Sequence, residues 1–213
     1  MSEPRGRSRS VRVILIALLA VGVLVLGVVI AVLVPILTHQ SAGGSGQEIS
    51  DELVPEVRAD GADGRTRVLS VDTSDGAPAD VSALVPGEEL EVRGTGFDAG
   101  IGIYVAICAI PESPTEKPSP CLGGIPDGAE GGGAAGAEAL SSVWITDDWA
   151  WRAFATQGYD DPEKGSFSAR ITVPDPVMDG LDCTVTRCAI ATRADHTASS
   201  DRIQDILLPV AFG

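Results

Sequence analysis

The sequence predicts an all-β domain, an antiparallel sandwich of short strands, carried behind one membrane-crossing helix. Three observations predict it. Residues 13–37 form a run of 25 positions with no charged or strongly polar side chain, and four arginines precede it. From Arg67 onward, short alternating runs are separated by Gly, Pro, Asp and Ser. Four cysteines, an even number, all lie beyond the apolar run.

The apolar run comes first. At 1.5 Å per residue a helix of that length reaches about 37 Å, past the ~30 Å hydrocarbon layer. Arg5, Arg7, Arg9 and Arg12 stand against a single acid, Glu3. The positive-inside tendency then keeps residues 1–12 cytoplasmic as a basic tail and sends everything after His39 outside. A cleaved signal peptide would have the same polarity, but its apolar core is shorter and ends in small residues. "VPILTHQSA" offers no clear cleavage pattern, so residues 13–37 read as an uncleaved single-pass anchor.

Charge divides at the same place. Beyond Arg12, 11 basic residues face 29 acidic ones, leaving the exported part at about −18, and Lys117 and Lys164 are its only lysines. Such a surface repels phosphate backbones and anionic headgroups, which argues against direct nucleic-acid binding. Its plainest role is to keep the domain soluble.

Residues 38–66 mix Gly, Ser and acids with little periodicity and read as a flexible acidic tether. A short helix at "QEISDELVPEV" would be interrupted by Pro55. The folded part is expected at 67–213, long enough for one core. "RVLSVD" is a first strand. "ELEVRG" alternates, with Leu90 and Val92 on one face; "IGIYVAICAI" is apolar on both faces, as in a central strand. "SFSARITV" puts Phe167, Ala169, Ile171 and Val173 on one side, and "CAIATRA" and "DILLPVAF" complete the set. Between them, "DGAEGGGAAGAEA" at 127–139 is low in complexity and reads as a loop. "SSVWITDDWAWRAFATQGY" gathers Trp144, Trp149, Trp151, Phe154 and Tyr159 in a chain only 4% aromatic.

Cys183 and Cys188 fit a metal clasp, a redox pair or a staple. Outside the membrane, an even count favours disulfides over thiolate metal sites. Four cysteines still allow three pairings.

Taken in order, "PGEELEVRGTGFDAGIGIYVAICA", "PSPC", "GSFSARITV", "LDCTVTRCAIATRAD" and the closing "LPVAF" resemble the neocarzinostatin family of small secreted actinobacterial apoproteins. The resemblance covers roughly 81–213, interrupted at about 122–164 by the Gly/Ala-rich and Trp-rich stretch, which reads as an insertion. It implies an immunoglobulin-like sandwich of about seven strands, with local disulfides Cys108–Cys121 and Cys183–Cys188. It also implies a ligand cleft, because members carry an enediyne chromophore. By matching position the cleft would involve Ile110, Leu140, Thr192 and Arg193. A longer Phe/Gly-rich ribbon walls that cleft in members, whereas only "PDPVMDG", 174–180, fills the gap here.

Other chemistry finds no constellation. His39 follows the anchor and His196 lies in the polar loop "RADHTASSD", without zinc spacing and without a G-x-S-x-G nucleophile. Asp72, Asp75 and Asp80 lack the spacing of a calcium loop. "EGGGAAGAEA" lacks the phosphate-loop lysine. The expectation is therefore a binding domain with no catalytic residues, no metal and no cofactor. Its ligand would be a small hydrophobic molecule, an envelope component or a protein partner. A tethered sequestration or resistance protein against an enediyne-like antibiotic, and a structural envelope domain without a ligand, are the alternatives. The five clustered aromatics are either the binding surface or a cap on one open end of the sandwich.

Overall fold

A computed structural model describes residues 6–123, 140–178 and 180–213. The loop expected at 127–139 lies outside the described residues. Two units are present, Met1–His39 and Gln40–Gly213.

The first unit is a single helix, α1 (Gly6–Thr38). Its segment Arg9–Thr38 is long and apolar enough to cross a membrane, and none of it is buried by protein. Leu, Ala, Val and Ile supply the apolar surface, with Arg7, Arg9 and Arg12 in the opening turns. Pro35 removes a backbone donor, and the helix ends three residues later. There the Thr38 hydroxyl donates to the Val34 carbonyl at 2.7 Å.

The second unit is β-structure. Its strands are β1 (Glu56–Asp60), β2 (Thr66–Thr73), β3 (Glu89–Thr95), β4 (Ile103–Ala109), β5 (Ser142–Ile145), β6 (Phe167–Thr172), β7 (Val177–Met178), β8 (Leu181–Asp182), β9 (Cys188–Ala194) and β10 (Ile206–Val210). They form three antiparallel sheets, ordered β1-β2-β3-β6, β10-β9-β4-β5 and β7-β8. The two four-stranded sheets share one apolar core. Leu69, Val71, Leu90, Val92, Phe167 and Ile171 enter it from the first, and Ile103, Val105, Ile107, Ile190 and Leu208 from the second. Period-two alternation produces this in β2, β3 and β6, whose outward residues meet water. Gly94 lets Phe97 and Phe167 meet edge to face at 5.2 Å, because a Cβ there would fall 2.1 Å from the Phe167 ring.

β4 and β9 are buried on both faces. On the side away from the core, Ala106, Cys108, Ala189, Ala191 and Leu207 form a second apolar cluster with Cys121. Ile49 and Ile110 pack on it. The disulfides join Cys108 to Cys121 and Cys183 to Cys188, the pairing that the resemblance implied.

Three expectations change. Residues 38–66 are not one flexible tether. Residues 44–53 lie as a strap held by Gln47, which bonds Leu207 twice, with the exposed Asp51 near Arg187 at 2.7 Å. β1 then pairs with β2 in the register Val57↔Leu69 and Ala59↔Arg67. Its polar composition reflects an edge strand with one wet face, and Pro55 precedes it, the Pro55 carbonyl accepting from Val71 N–H. The stretch read as an insertion at 122–164 contains a full sheet member, β5, paired to β4. The stretch before the clasp is not merely a shortened link, since Val177 and Met178 pair antiparallel with β8.

Candidate functional site

The four cleft positions are not brought together. Thr192 and Arg193 are neighbours on β9 and therefore face opposite sides. Thr192 is fully buried, its hydroxyl donating to the Gln204 carbonyl at 2.6 Å and accepting from Ile206 N–H at 3.1 Å. Arg193 lies on the other side, its Cζ 5.7 Å from the Tyr104 ring centre, and Nη1 donates to the Pro118 carbonyl at 3.0 Å. Ile110 packs on the second cluster, whereas Leu140 packs on the main core. Where an open wall was expected, Ile49 of the strap and Ile110 cover the outer face of β4, β9 and β10. What is left between strap, residues 111–118 and β10 is a void of about 20 Å³, room for one water.

The aromatics divide into anchors and exposed rings. Trp144 on β5 is buried, and its indole N–H donates to Asp195 Oδ2 at 2.9 Å. Asp195 is itself fully buried and also accepts from Thr197 N–H and the Thr197 hydroxyl, capping the single 3-10 turn His196–Ala198. Gly102 makes room for it, since a Cβ there would fall 2.0 Å from Asp195 Oδ2. Tyr159 is a core residue whose hydroxyl donates to the Ile101 carbonyl at 2.9 Å, and burial raises its phenol well above the ordinary value.

On this base stands a ring cluster. His196 meets Trp151 edge to face at 4.8 Å and Trp144 at 5.1 Å, while its Nδ1 lies 3.0 Å from the Tyr104 hydroxyl. Burial, with Asp195 adding to it, pushes Tyr104 up to about 12. The hydroxyl thus stays protonated and shares a hydrogen bond with His196 Nδ1. Trp149 and Phe154 are different: they are 69% and 47% exposed on the turn after β5. That turn is not loose. Asp148 accepts from Ala150 N–H at 2.8 Å, and its carbonyl accepts from Arg152 N–H at 2.7 Å.

Beside Arg193 lies a buried ionic group absent from the sequence reading. Asp205 is nine-tenths buried and pairs with Arg202 at 2.7 Å. Arg193 Nε and Asp205 Oδ1 are the buried side-chain polar atoms without a partner among the described residues. Burial pushes Asp205 up to about 6 despite Arg202. Burial, then Arg193 and Arg202, push Lys117 down to about 8. Tyr104, Asp195 and Asp205 come together through pairing of β4, β9 and β10, and Lys117 joins them from the segment after β4. The sequence marked Tyr104 only as a member of a central strand apolar on both faces.

A separate cleft of about 280 Å³ opens beside the Cys183–Cys188 clasp, and Ile110 reaches its wall. Among the described residues no group of three or more His, Cys, Asp or Glu is arranged to hold a metal. The chain matches no family model, no curated protein and no solved structure.

Proposed function

We propose that this is a single-pass membrane protein, N-terminus inside, whose exported domain is a cell-surface recognition module. Its sandwich is of the immunoglobulin-like, neocarzinostatin type, and it binds an envelope component through the aromatic end that carries Trp149 and Phe154. The apolar helix, the arginines before it and the two disulfides support the topology.

One observation carries the binding reading: two large rings stand in solvent on a braced turn, while their neighbours Trp144 and Tyr159 are locked inside. Capping an open end of the core would bury Trp149 and Phe154. Rigid exposed aromatics supply contact area at little entropic cost. Asp147 and Asp148 on the same turn, both exposed, suit a neutral or cationic surface and disfavour polyanions. A diffusible hydrophobic ligand held on the outer face of β4 and β9 is the weaker reading, because Ile49 and Ile110 fill that face. The test is retention of the full chain on purified cell-wall material, wild type against a Trp149→Ala, Phe154→Ala double variant.

A further inference from the structure

The clasp cleft shares no lining residue with the aromatic end. Its lining is mixed: Leu53 of the strap, Ile110, Val185 of the clasp and Pro209 supply apolar surface, and Asp51, Thr184, Thr186 and Arg187 supply polar groups. Val185 is 82% exposed beside the cleft. The loop that presents it is fixed in place. The disulfide closes it, Asp182 Oδ1 accepts from Thr184 N–H at 2.9 Å and from the Thr184 hydroxyl at 2.6 Å, and Thr186 N–H donates to the Asp182 carbonyl at 2.9 Å. The wall is preformed.

One end of the cleft is polar and under-used. Arg187 engages only Nη2, which donates to Asp51 Oδ1 at 2.7 Å and to the Ser50 carbonyl at 3.4 Å. Its Nε and Nη1, and the Thr186 hydroxyl, have no partner among the described residues. Asp51 is almost wholly exposed, so this ion pair is worth little and an incoming carboxylate can replace it. A guanidinium fork takes a carboxylate through two parallel bonds, which an alcohol or an amine cannot reproduce.

From the mixed lining, the spare donors of Arg187 and Thr186 and the small volume, we infer that this cleft binds a small amphipathic carboxylate. The carboxylate meets Arg187 and Thr186, and the short apolar body lies against Ile110, Pro209 and Val185. A volume just under the ~300 Å³ lower bound of common ligand pockets sets the size: one short chain or one ring.

The test uses the full chain in lipid nanodiscs, with hexanoate, hexanol and hexylamine as probes and empty discs as baseline, read by saturation-transfer NMR. Hexanoate gives transfer above the empty discs and hexylamine does not. Arg187→Gln weakens hexanoate about tenfold, as expected for a lost charge-assisted bond, and Thr186→Val weakens it a few-fold. Both residues are exposed, so the melting temperature stays unchanged. The Trp149→Ala, Phe154→Ala variant keeps hexanoate binding, which separates this site from the aromatic end. Equal transfer from all three probes, affinity unchanged in Arg187→Gln, or no hexanoate signal above empty discs overturns the inference.

Discussion

Gln47 and Leu207, 160 positions apart, exchange two hydrogen bonds: Gln47 Nε2 donates to the Leu207 carbonyl at 2.6 Å, and Leu207 N–H donates to Gln47 Oε1 at 2.7 Å. A side-chain carboxamide thus stands where the peptide of another strand would. β10 is the end of its sheet, and an open edge is a template for association. Pro209, two residues on, lacks the next donor that this edge would present. The strap therefore seals the edge as well as covering the outer face.

Replacing Gln47 by Ala removes two neutral hydrogen bonds and leaves the Leu207 groups to find water. The expected loss is about 1–3 kcal/mol. Denaturant melts check the size, and amide exchange at Leu207 should accelerate while that at Ile190, deep in β9, does not.

Arg67 is fully buried on β2 and gives Asp63 two bonds, at 3.0 and 2.7 Å, and Gln204 a third at 2.9 Å. Gln204 passes the link on to the backbone of Asp98. Truncating Arg67 to Ala strands Asp63 and Gln204 and opens a large void, so a loss of about 3–5 kcal/mol is expected by thermal or urea unfolding. An unchanged melt would show that the network does not hold the sheets together.

Two carboxylates give the stability–pH curve opposite slopes. Burial raises Asp205 to about 6 from the ordinary 3.8. Between those values the native state keeps a proton that the unfolded chain gives up, so this contribution grows as pH falls from about 6 towards 4 and is lost as pH rises past 6. Its ceiling is about 3 kcal/mol. Hydrogen bonds from Arg67 hold Asp63 below 3.8. Its contribution is present above 3.8 and is lost on further acidification. The melting temperature should therefore peak on the acid side of neutrality, between about pH 4 and 6. Asp205→Asn should flatten the fall from about pH 4 to 6, with Arg202, Lys117 and Asp201 the charged groups that set what slope remains.

The disulfides span 13 and 5 positions. Loop-closure entropy assigns them about 3 and 2 kcal/mol respectively. Cys183→Ser with Cys188→Ser should cost the smaller amount and also loosen the Val185 wall, seen as faster amide exchange at Thr184 and Thr186.

Six strands were legible within a residue or two, because Leu90 and Val92, or Phe167, Ala169 and Ile171, write the two-residue period plainly. β1 was hidden by its own position: as an edge strand with one wet face, "EVRAD" shows only Val57 and Ala59 to the core. β5 was obscured by the tryptophans in and after it, which drew attention as a cluster when Trp144 was simply the outer-face partner of Tyr104. The cleft positions carried over by resemblance came apart for a reason also written in the sequence: consecutive residues of one strand, Thr192 and Arg193, cannot face the same ligand. No local signal could reveal the strap. Ala106, Ala189 and Ala191 are small on that face, and what lies over them is fixed by Gln47 and Ile49, more than 50 positions from any of the three.

The central claim, that Trp149 and Phe154 form a recognition surface, is tested most directly by one paired measurement on the full chain. The Trp149→Ala, Phe154→Ala variant is compared with wild type for melting temperature and for retention on purified cell-wall material. The account predicts a melting temperature within about 2 °C of wild type, since exposed substitutions cost little, and retention reduced at least tenfold. A fall of more than about 5 °C, or retention equal to wild type, would contradict it.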